Sequence, residues 1–577
     1  MDDRWITDWT PSARFPHYTR ANSGEVLPTP ASPLGQQFTW ERGICFGWRD
    51  GYVRIGMFTV DEFDPVHPDV CGFFGAYMYI NLANVRMQGV RSPVVTVEQL
   101  DLAFFGDHPE VPPYVAHPDD ERPDLIPGIV EHLGWVMSTT QWPEIDRERD
   151  ETIAFRAARP DLAALDDGEL LARARATLPM LHKLFESHTV TSSSSAIAPG
   201  ILAAIGAAIG DPTIPMKLVA GIGHVDSAEP SYRMWELSRI VRSSPALTEI
   251  FDAGHDGLLE RLRASEASTE LLAGFDQLIA DHGCRGPNEW EISSETWETH
   301  PEVALAAIDR IRLQSDDESP EHRNHHVASE REALTLEVRA KVAPLGEELT
   351  GQYEAALVAA HQLAFRERTK TNIIRVVHEG RMVFRELGHR HHRAGHLDDP
   401  AHVFMLLDAE LEPFVADPAS FRTTLAERAA TWHELWDLVP PYFIKDGVVP
   451  PLGEWARRGE SHERPAEVGE VFHGVAGCPG KVTGRARIIT DPAEPGDLEP
   501  EDILVAPLTD PAWTPLFMAV GGVVVDVGGQ ISHAIIVSRE LGLPCVVSAT
   551  GASARIPDGA LIEVDADHGT VTVLEMP

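Results

Sequence analysis

Cysteine is scarce and scattered: Cys45, Cys71, Cys284, Cys478 and Cys545 are the five in 577 residues, odd in number and without C-x-x-C spacing. That pattern indicates neither a disulfide framework nor a cysteine zinc site. Basic residues are also in short supply, with 48 Lys and Arg against 89 Asp and Glu and a net charge of −41. A nucleic-acid partner needs a basic face and an anionic bilayer repels such a chain, so neither partner is expected. No run reaches the roughly 18 unbroken apolar residues of a membrane helix, and the opening MDDRWITDWT lacks the apolar core of a signal peptide. The expectation is a cytoplasmic protein. The sequence has no internal repeat, no low-complexity tract and no G-x-x-x-x-G-K-[ST] nucleotide loop.

What is present divides into unequal parts. Near the C-terminus, ARIITD, DILVAPLTD, GGVVVDVGG, PCVVSA and ALIEVDADHGTVTVLE are short β-rich runs separated by Gly, Pro and Asp turns. They predict a compact α/β module over 471–577. Ahead of it, residues 451–470 are polar, charged and punctuated by Pro and Gly, the composition of a linker. Residues 1–450 form the larger region, mostly helical from about residue 160, where apolar residues recur at three and four spacing. Its first part is richer in aromatics, Pro and Gly, and GAYMYINLANVRM (75–87) reads as strand or hairpin edge.

One stretch carries chemistry. In GGVVVDVGGQISHAIIVSRELGLPCVV (521–547) an apolar strand runs into Gly528 and Gly529, then Ser532 and His533. Ser532 suits an N-cap, Ala534 to Leu541 has helical spacing, Gly542 suits the C′ position and Pro544 forbids continuation. His533 therefore opens a helix, where backbone N–H groups and the helix dipole stabilise a negative group. Gly528 and Gly529 let phosphate oxygens approach the backbone, with Ser532 and Ala534 completing the cradle. A neutral imidazole there is either a nucleophile toward phosphorus or a histidine facing solvent.

The segment 528–547 resembles the phosphohistidine swivelling domain of the PEP-utilising enzymes, whose G-G-x-x-S-H-A histidine carries a phosphoryl group. The resemblance assigns that role to His533. Gln530 and Ile531 depart from the small or hydroxyl residues usual at their positions. ANSGEVLPTPASPL (21–34), GAYMYINLANVRMQGVR (75–91), HGCRGPNEWEISSETWETHP (282–301) and the FRERTK region (365–370) are similar to the acceptor-binding domain of the rifampicin phosphotransferase branch. The resemblance implies a multidomain protein: a mainly α-helical acceptor domain followed by a swivelling β/β/α phosphohistidine domain. It also implies ATP and Mg²⁺ as cofactors. Because no ATP-grasp segment is recognised in these residues, both are expected to be held mainly by a separate ATP-grasp subunit. An organisation of that kind is similar to phenylphosphate synthase, which makes a small phenol the expected acceptor, with AMP and phosphate as co-products. An antibiotic phosphotransferase, a lyase or dehydratase using His533 as acid or base, and a regulatory phosphoprotein are the alternatives.

Other candidates follow from spacing and resemblance. Arg366 and Lys370 are four apart on one helical face, either a clamp for a phosphoryl group in transit or a basic stripe paired with neighbours such as Glu367. Arg375 lies further along. Glu289 is a general base near the acceptor or the partner of Arg285 four residues earlier. His224, in a Gly-rich turn, is a base or a surface histidine. Asp510, Trp513 and Pro515 resemble the loop facing the carrier histidine, with Trp513 covering the pocket or capping the core. Trp40, Phe46, Phe73, Phe74, Tyr77 and Tyr79 are stacking walls for the acceptor or core residues. GHRHHRAGH (388–396) reads as a solvated helix end in preference to a metal site, so no metal ligands are assigned.

Overall fold

The structure, a computed structural model, describes residues 3–577 apart from 94, 106–107, 109, 212, 223–225, 227, 317–318, 459–463, 491, 493–495, 497, 510–512 and 530–531. Two compact units share the chain. The first gathers Met1–Ser194, Trp290–Ser293 and Arg368–His462, and the second Ser195–Glu289, Ser294–Glu367 and Glu463–Pro577. The segment 1–450, expected as one domain, thus contributes to both units, and the helices of 195–367 group with the C-terminal module. The helices used below are α1 (Cys45–Arg54), α2 (Asp167–Ser194), α3 (Glu229–Ser243), α4 (Thr269–His282), α5 (Pro301–Arg312), α6 (Pro320–Val342), α7 (His361–Arg393), α8 (Thr514–Met518) and α9 (His533–Leu541).

Helix is also present ahead of the mostly helical region expected from about residue 160, from Ser23–Val26 onward, and the first unit sets α1, α2 and most of α7 with a small antiparallel sheet. Its strands are β1 (Tyr18–Thr19), β2 (Cys71–Phe74), β3 (Tyr77–Asn81) and, after β4 (Leu438–Val439), β5 (Phe443–Ile444). The expected hairpin is β2–β3, turned by Gly75 and Ala76 with φ of 57° and 65°, the conformation of a two-residue hairpin turn. Trp40, Phe73, Phe74, Tyr77 and Tyr79 are all buried. They build the core: the Trp40 ring lies 5.6 Å from Trp290, and the Tyr77 hydroxyl donates to the carbonyls of Leu435 and Leu438. Of the two roles open to these five, burial makes them core.

In the second unit, β7 (Val471–His473), β8 (Val475–Cys478), β9 (Lys481–Ile488), β10 (Ile503–Ala506), β11 (Gly522–Val525), β12 (Cys545–Val547), β13 (Leu561–Asp565) and β14 (Thr570–Glu575) form one eight-stranded sheet. Its order is β7-β14-β13-β9-β10-β11-β12-β8, with β9 to β12 parallel and the remaining pairings antiparallel. The runs ILVA, GVVV and CVV are apolar throughout because both faces are covered. Alternate residues separate cleanly. Ile503, Val505, Val524 and Val546 pack with Ile556, Ile562 and Val564, while Leu504, Val523, Val525 and Val547 pack with α9 and with Met234, Leu237, Leu305 and Ile308 of α3 and α5. Continuous burial on the second face joins the module to its helical layer.

The expected linker 451–470 is shorter than its composition suggests. β6 (Ala456–Arg457) pairs with β4, and Arg458 N–H bonds the Asp437 carbonyl, so the chain is tied to the first unit through residue 458. From Ala466, whose N–H bonds the Arg555 carbonyl, it belongs to the sheet of the second. One stretch, Asp167–Ile209, is long and apolar enough to cross a membrane by length and composition. It is nevertheless two helices broken at 195–196, and α2 carries Ser187 and Thr191, bonded to Glu148 and Thr369 in the first unit.

Candidate functional site

The grammar around His533 is realised almost as read. α9 starts at His533, and Ser532 before it has extended backbone, φ −69° and ψ 158°. The first helical bond runs from Ile536 N–H to the Ser532 carbonyl, which leaves the first-turn N–H groups outside the helix's own ladder. Gly542 adopts φ 65° and Leu543 N–H returns to the Ser538 carbonyl, closing the C-terminus ahead of Pro544. One detail differs. The Ser532 hydroxyl makes no capping bond, and although Ser532 is only 2% exposed, that oxygen has no hydrogen-bond partner among the described residues.

His533 is 8% exposed and does not face solvent. Its Nε2 lies 3.3 Å from the Thr514 hydroxyl and its Nδ1 3.3 Å from the Thr509 hydroxyl, with the Phe517 ring edge-on at 5.8 Å. A neutral imidazole with a hydroxyl at each nitrogen has one N–H to donate and one lone pair to offer, the state a nucleophile toward phosphorus requires. Gly528 is needed where it stands: a Cβ there would lie 3.0 Å from the Ser532 Oγ and 3.1 Å from the Val547 side chain. Its carbonyl accepts from the Ser548 hydroxyl at 2.5 Å, and Ser532 N–H bonds the Gly529 carbonyl at 2.9 Å. Ala534 is buried beneath the first turn.

The charged candidates are distributed between the units. In the second, Arg285 and Glu289 are 2% and 1% exposed, and Arg285 Nη1 donates to both Glu289 oxygens at 3.1 Å. Of the two roles open to Glu289, this geometry is the ion pair. Burial opposes the Arg285 charge, but the Glu289 carboxylate, with a further contribution from Glu367, more than offsets it and holds the guanidinium above its usual range. Arg366 stands 3.7 Å from Glu367 in the same unit. Arg285, Glu289, Arg366 and Glu367 are thus two cations and two carboxylates, sharing a unit with His533. Lys370 and Arg375 belong to the first unit, where Arg375 is buried and donates to Asn372 at 3.2 Å. Trp513 is 3% exposed and packs in the cluster beneath α8 and α9, so it is a core residue and not a pocket cover.

His224, Asp510, Gln530 and Ile531 lie outside the described residues. The histidine-rich end of α7 is not simply solvated: His391 is 4% exposed, 3.1 Å from Asp167 and 3.1 Å from His396. No group of three His, Cys, Asp or Glu side chains among the described residues could hold a metal ion.

Sequence reasoning passed over Thr509 and Thr514, whose hydroxyls face the two nitrogens of His533, although both lie in the loop of Asp510, Trp513 and Pro515 that it singled out. It also passed over Glu291, which the fold brings to Ser32 across 259 residues, with a 2.6 Å bond from the Ser32 hydroxyl. That contact joins two of the segments quoted for the acceptor domain. Burial pushes the Glu291 carboxyl up, while bonds from Ser32 and Ser293 oppose the shift.

A β/β/α module carrying a histidine at a helix start, grouped with a helical layer, is similar in build to the PEP-utilising phosphotransferases. Comparison with known families agrees: residues 498–569 match the PEP-utilising enzyme mobile domain and residues 188–367 the rifampicin phosphotransferase fourth domain. Among individual relatives, the uncharacterised protein Rv2047c of Mycobacterium tuberculosis is 34% identical over 295 residues, 51% of this chain and 30% of that one. Rifampicin phosphotransferase of Streptomyces sviceus is 29% identical over 358 residues, 61% of this chain and 40% of the relative. The uncharacterised phosphotransferase YvkC of Bacillus subtilis is 26% identical over 365 residues, 60% of this chain and 42% of the relative. The chain therefore aligns with well under half the length of each.

Proposed function

We propose that this chain is the phosphocarrier and acceptor-binding component of an ATP-dependent phosphotransferase. His533 receives a phosphoryl group and passes it to the hydroxyl of a small organic compound. The observation that carries this reading is the imidazole at the start of α9, held between two hydroxyls beside an unpartnered Ser532 oxygen. ATP and Mg²⁺ are assigned to an ATP-grasp nucleotide-binding subunit that loads His533, releasing AMP and phosphate, in the cytoplasm where ATP is at hand. Neutralising the charge on ATP is the chemistry Mg²⁺ supplies there.

A small phenol is the acceptor class we favour. A phenol with pKa near 10 is only slightly ionised at neutral pH, so it needs a base or a cation at its oxygen. Glu289 is engaged by Arg285, and Arg366, in the same unit as His533, is the cation we assign to that oxygen. The runner-up is an antibiotic acceptor, favoured by the likeness to the Streptomyces sviceus enzyme. The test offers simple phenols, aliphatic alcohols and a rifamycin to the chain with ATP, Mg²⁺ and an ATP-grasp subunit, and identifies phosphorylated products by mass spectrometry. Phosphorylation of phenols supports the proposal. Products from the rifamycin alone move the protein to antibiotic modification, and products from aliphatic alcohols alone end the phenol reading.

A further inference from the structure

Within the second unit, only three of the 23 residues of α6, Pro320, Val338 and Val342, are buried. The helix meets the C-terminal module along one strip, where Asn324, Val327, Ala328 and Arg331 recur at helical spacing on a single face. Two glycines make that approach close. A Cβ on Gly542, which ends α9 with φ 65°, would come within 3.3 Å of Val327, and one on Gly221, with φ 57°, within 3.1 Å of the Ala328 nitrogen. Arg331 spends a donor on the Gly221 carbonyl. One turn and a half earlier, Asn324 Nδ2 donates to Glu540 Oε2 at 3.0 Å. Glu540 is buried there. Burial pushes its carboxyl up to about 7, against the bonds from Asn324 and the Gly221 backbone and the charges of Arg539 of α9 and Arg331 of α6. Tyr232 of α3, itself near Glu229 and Glu321, and Cys478 of β8 also feel its charge.

We propose that Asn324 and Glu540 form a proton-operated latch, in which the carboxylic acid closes α6 onto the end of α9 and the carboxylate lets α6 lift away. The closed strip excludes water, so a charge on Glu540 is costly there. Once α6 lifts, water reaches the carboxyl, which then ionises at the ordinary glutamate range and gives its proton to solvent. Each opening near neutral pH therefore releases one proton. The closed form is favoured fully below about pH 4.5, loses ground as pH rises, and gains no further handicap above about pH 7. Glu540 is seven residues after His533 on α9, two helical turns or about 10 Å along its axis. The latch thus grips the helix that the histidine opens. It holds whether or not His533 carries a phosphoryl group, so it stands apart from the proposed function.

Hydrogen exchange of the full chain, read by mass spectrometry at pH 5, 6, 7 and 8 and corrected for the pH dependence of intrinsic exchange, tests the latch. Peptides of α6 should be less protected than those of β13 and β14, whose core residues lie on the other face of the sheet from α9. That difference marks an opening of α6 with the sheet still folded. Protection of α6 should fall about tenfold per pH unit between 5 and 7 and then level off, the slope of one released proton. Glu540→Gln can still accept from Asn324 but cannot ionise, and should keep α6 equally protected at every pH. Protection of α6 that does not change with pH in the parent protein overturns the latch. So does α6 exchanging no faster than β13 and β14, which would leave no separate opening, and so does a Glu540→Gln profile with the parent's slope. Should Glu540→Gln fail to fold, the parent profile decides alone.

Discussion

Two threonine hydroxyls and the Phe517 ring stand at His533, with the Ser532 hydroxyl one residue away, and these groups are neutral. In the helical part of the same unit the material is the opposite, with Arg285 closed onto Glu289 and Arg366 beside Glu367. A carrier must bind its cargo loosely enough to give it up, and neutral hydrogen bonds are weaker than charge-assisted ones by about half. An acceptor site must stabilise charge as it develops, which calls for cations fixed in place. On the proposed function, this contrast would divide the labour, the module holding the group and the helical layer helping to deliver it.

The most severe way to break this division is at the histidine. His533→Ala should abolish an acid-labile, base-stable phosphoryl label formed with ATP, Mg²⁺ and the nucleotide subunit; a label that persists moves the carrier elsewhere. Next in size is the buried pair. Glu289→Ala removes the carboxylate that pairs with buried Arg285 and should lower stability by about 3–5 kcal/mol in denaturant unfolding, and a cost under about 1 kcal/mol would mean that the other groups around Arg285 suffice to hold its charge. Arg366→Ala and Lys370→Ala probe delivery. Each should leave loading of His533 nearly intact while slowing transfer to the acceptor by about tenfold to a thousandfold, and equal loss of both half-reactions would erase the distinction between holding and delivering.

The two regions also differ in how much of them the sequence displays. The module is written in local signals: valine-rich strands between Gly and Pro turns, a histidine after a serine, a glycine at the helix end. Each of these reappears in β10, β11, β12 and α9 because it depends on neighbours a few residues away. The helical layer depends on distant ones. Residues 195–289 and 294–367 group with a module that begins near 463, and in the first unit Ser32 meets Glu291, pairings that no periodicity encodes. Aromatic content left two readings open for a related reason. Trp40, Phe73 and Tyr77 are as suited to a core as to a ligand wall, and only packing against Trp290 and the carbonyls of 435 and 438 decides between them.

Where the module meets α6, a titratable group sharpens the comparison. Glu540 of α9 is buried and accepts from Asn324 Nδ2 at 3.0 Å. Burial raises its pKa to about 7, against the opposing bonds from Asn324 and the Gly221 backbone and the charges of Arg539 and Arg331. Tyr232 of α3 also feels its charge. Because the folded pKa lies above the unfolded one, the folded state holds the proton more tightly. The contribution of Glu540 to stability is therefore greatest below about pH 4.5 and declines as pH rises toward 7, then levels off. Glu540→Gln should flatten that decline and stabilise the protein at pH 8 by on the order of 1–3 kcal/mol. Melting curves at pH 5, 6, 7 and 8 measure it, and parallel curves for the two proteins would remove Glu540 from the account.

The smallest expected effect falls on Ser532, and it tests the neutral half of the contrast most directly. A serine that precedes a helix ordinarily supports it by accepting a first-turn N–H bond, and replacing such a cap with alanine costs roughly 0.5–2 kcal/mol. Here the backbone has the cap conformation but the hydroxyl makes no such bond and is buried without a partner. Two consequences follow with opposite signs. Ser532→Ala removes an unsatisfied polar atom, so the melting temperature should hold or rise. The same substitution removes a neutral donor one residue from the phosphoryl group, so loading of His533 should slow by about threefold, the worth of one weak hydrogen bond. A variant that melts several degrees lower and loads normally would show that the hydroxyl is a cap after all, and that the phosphoryl group is held without it.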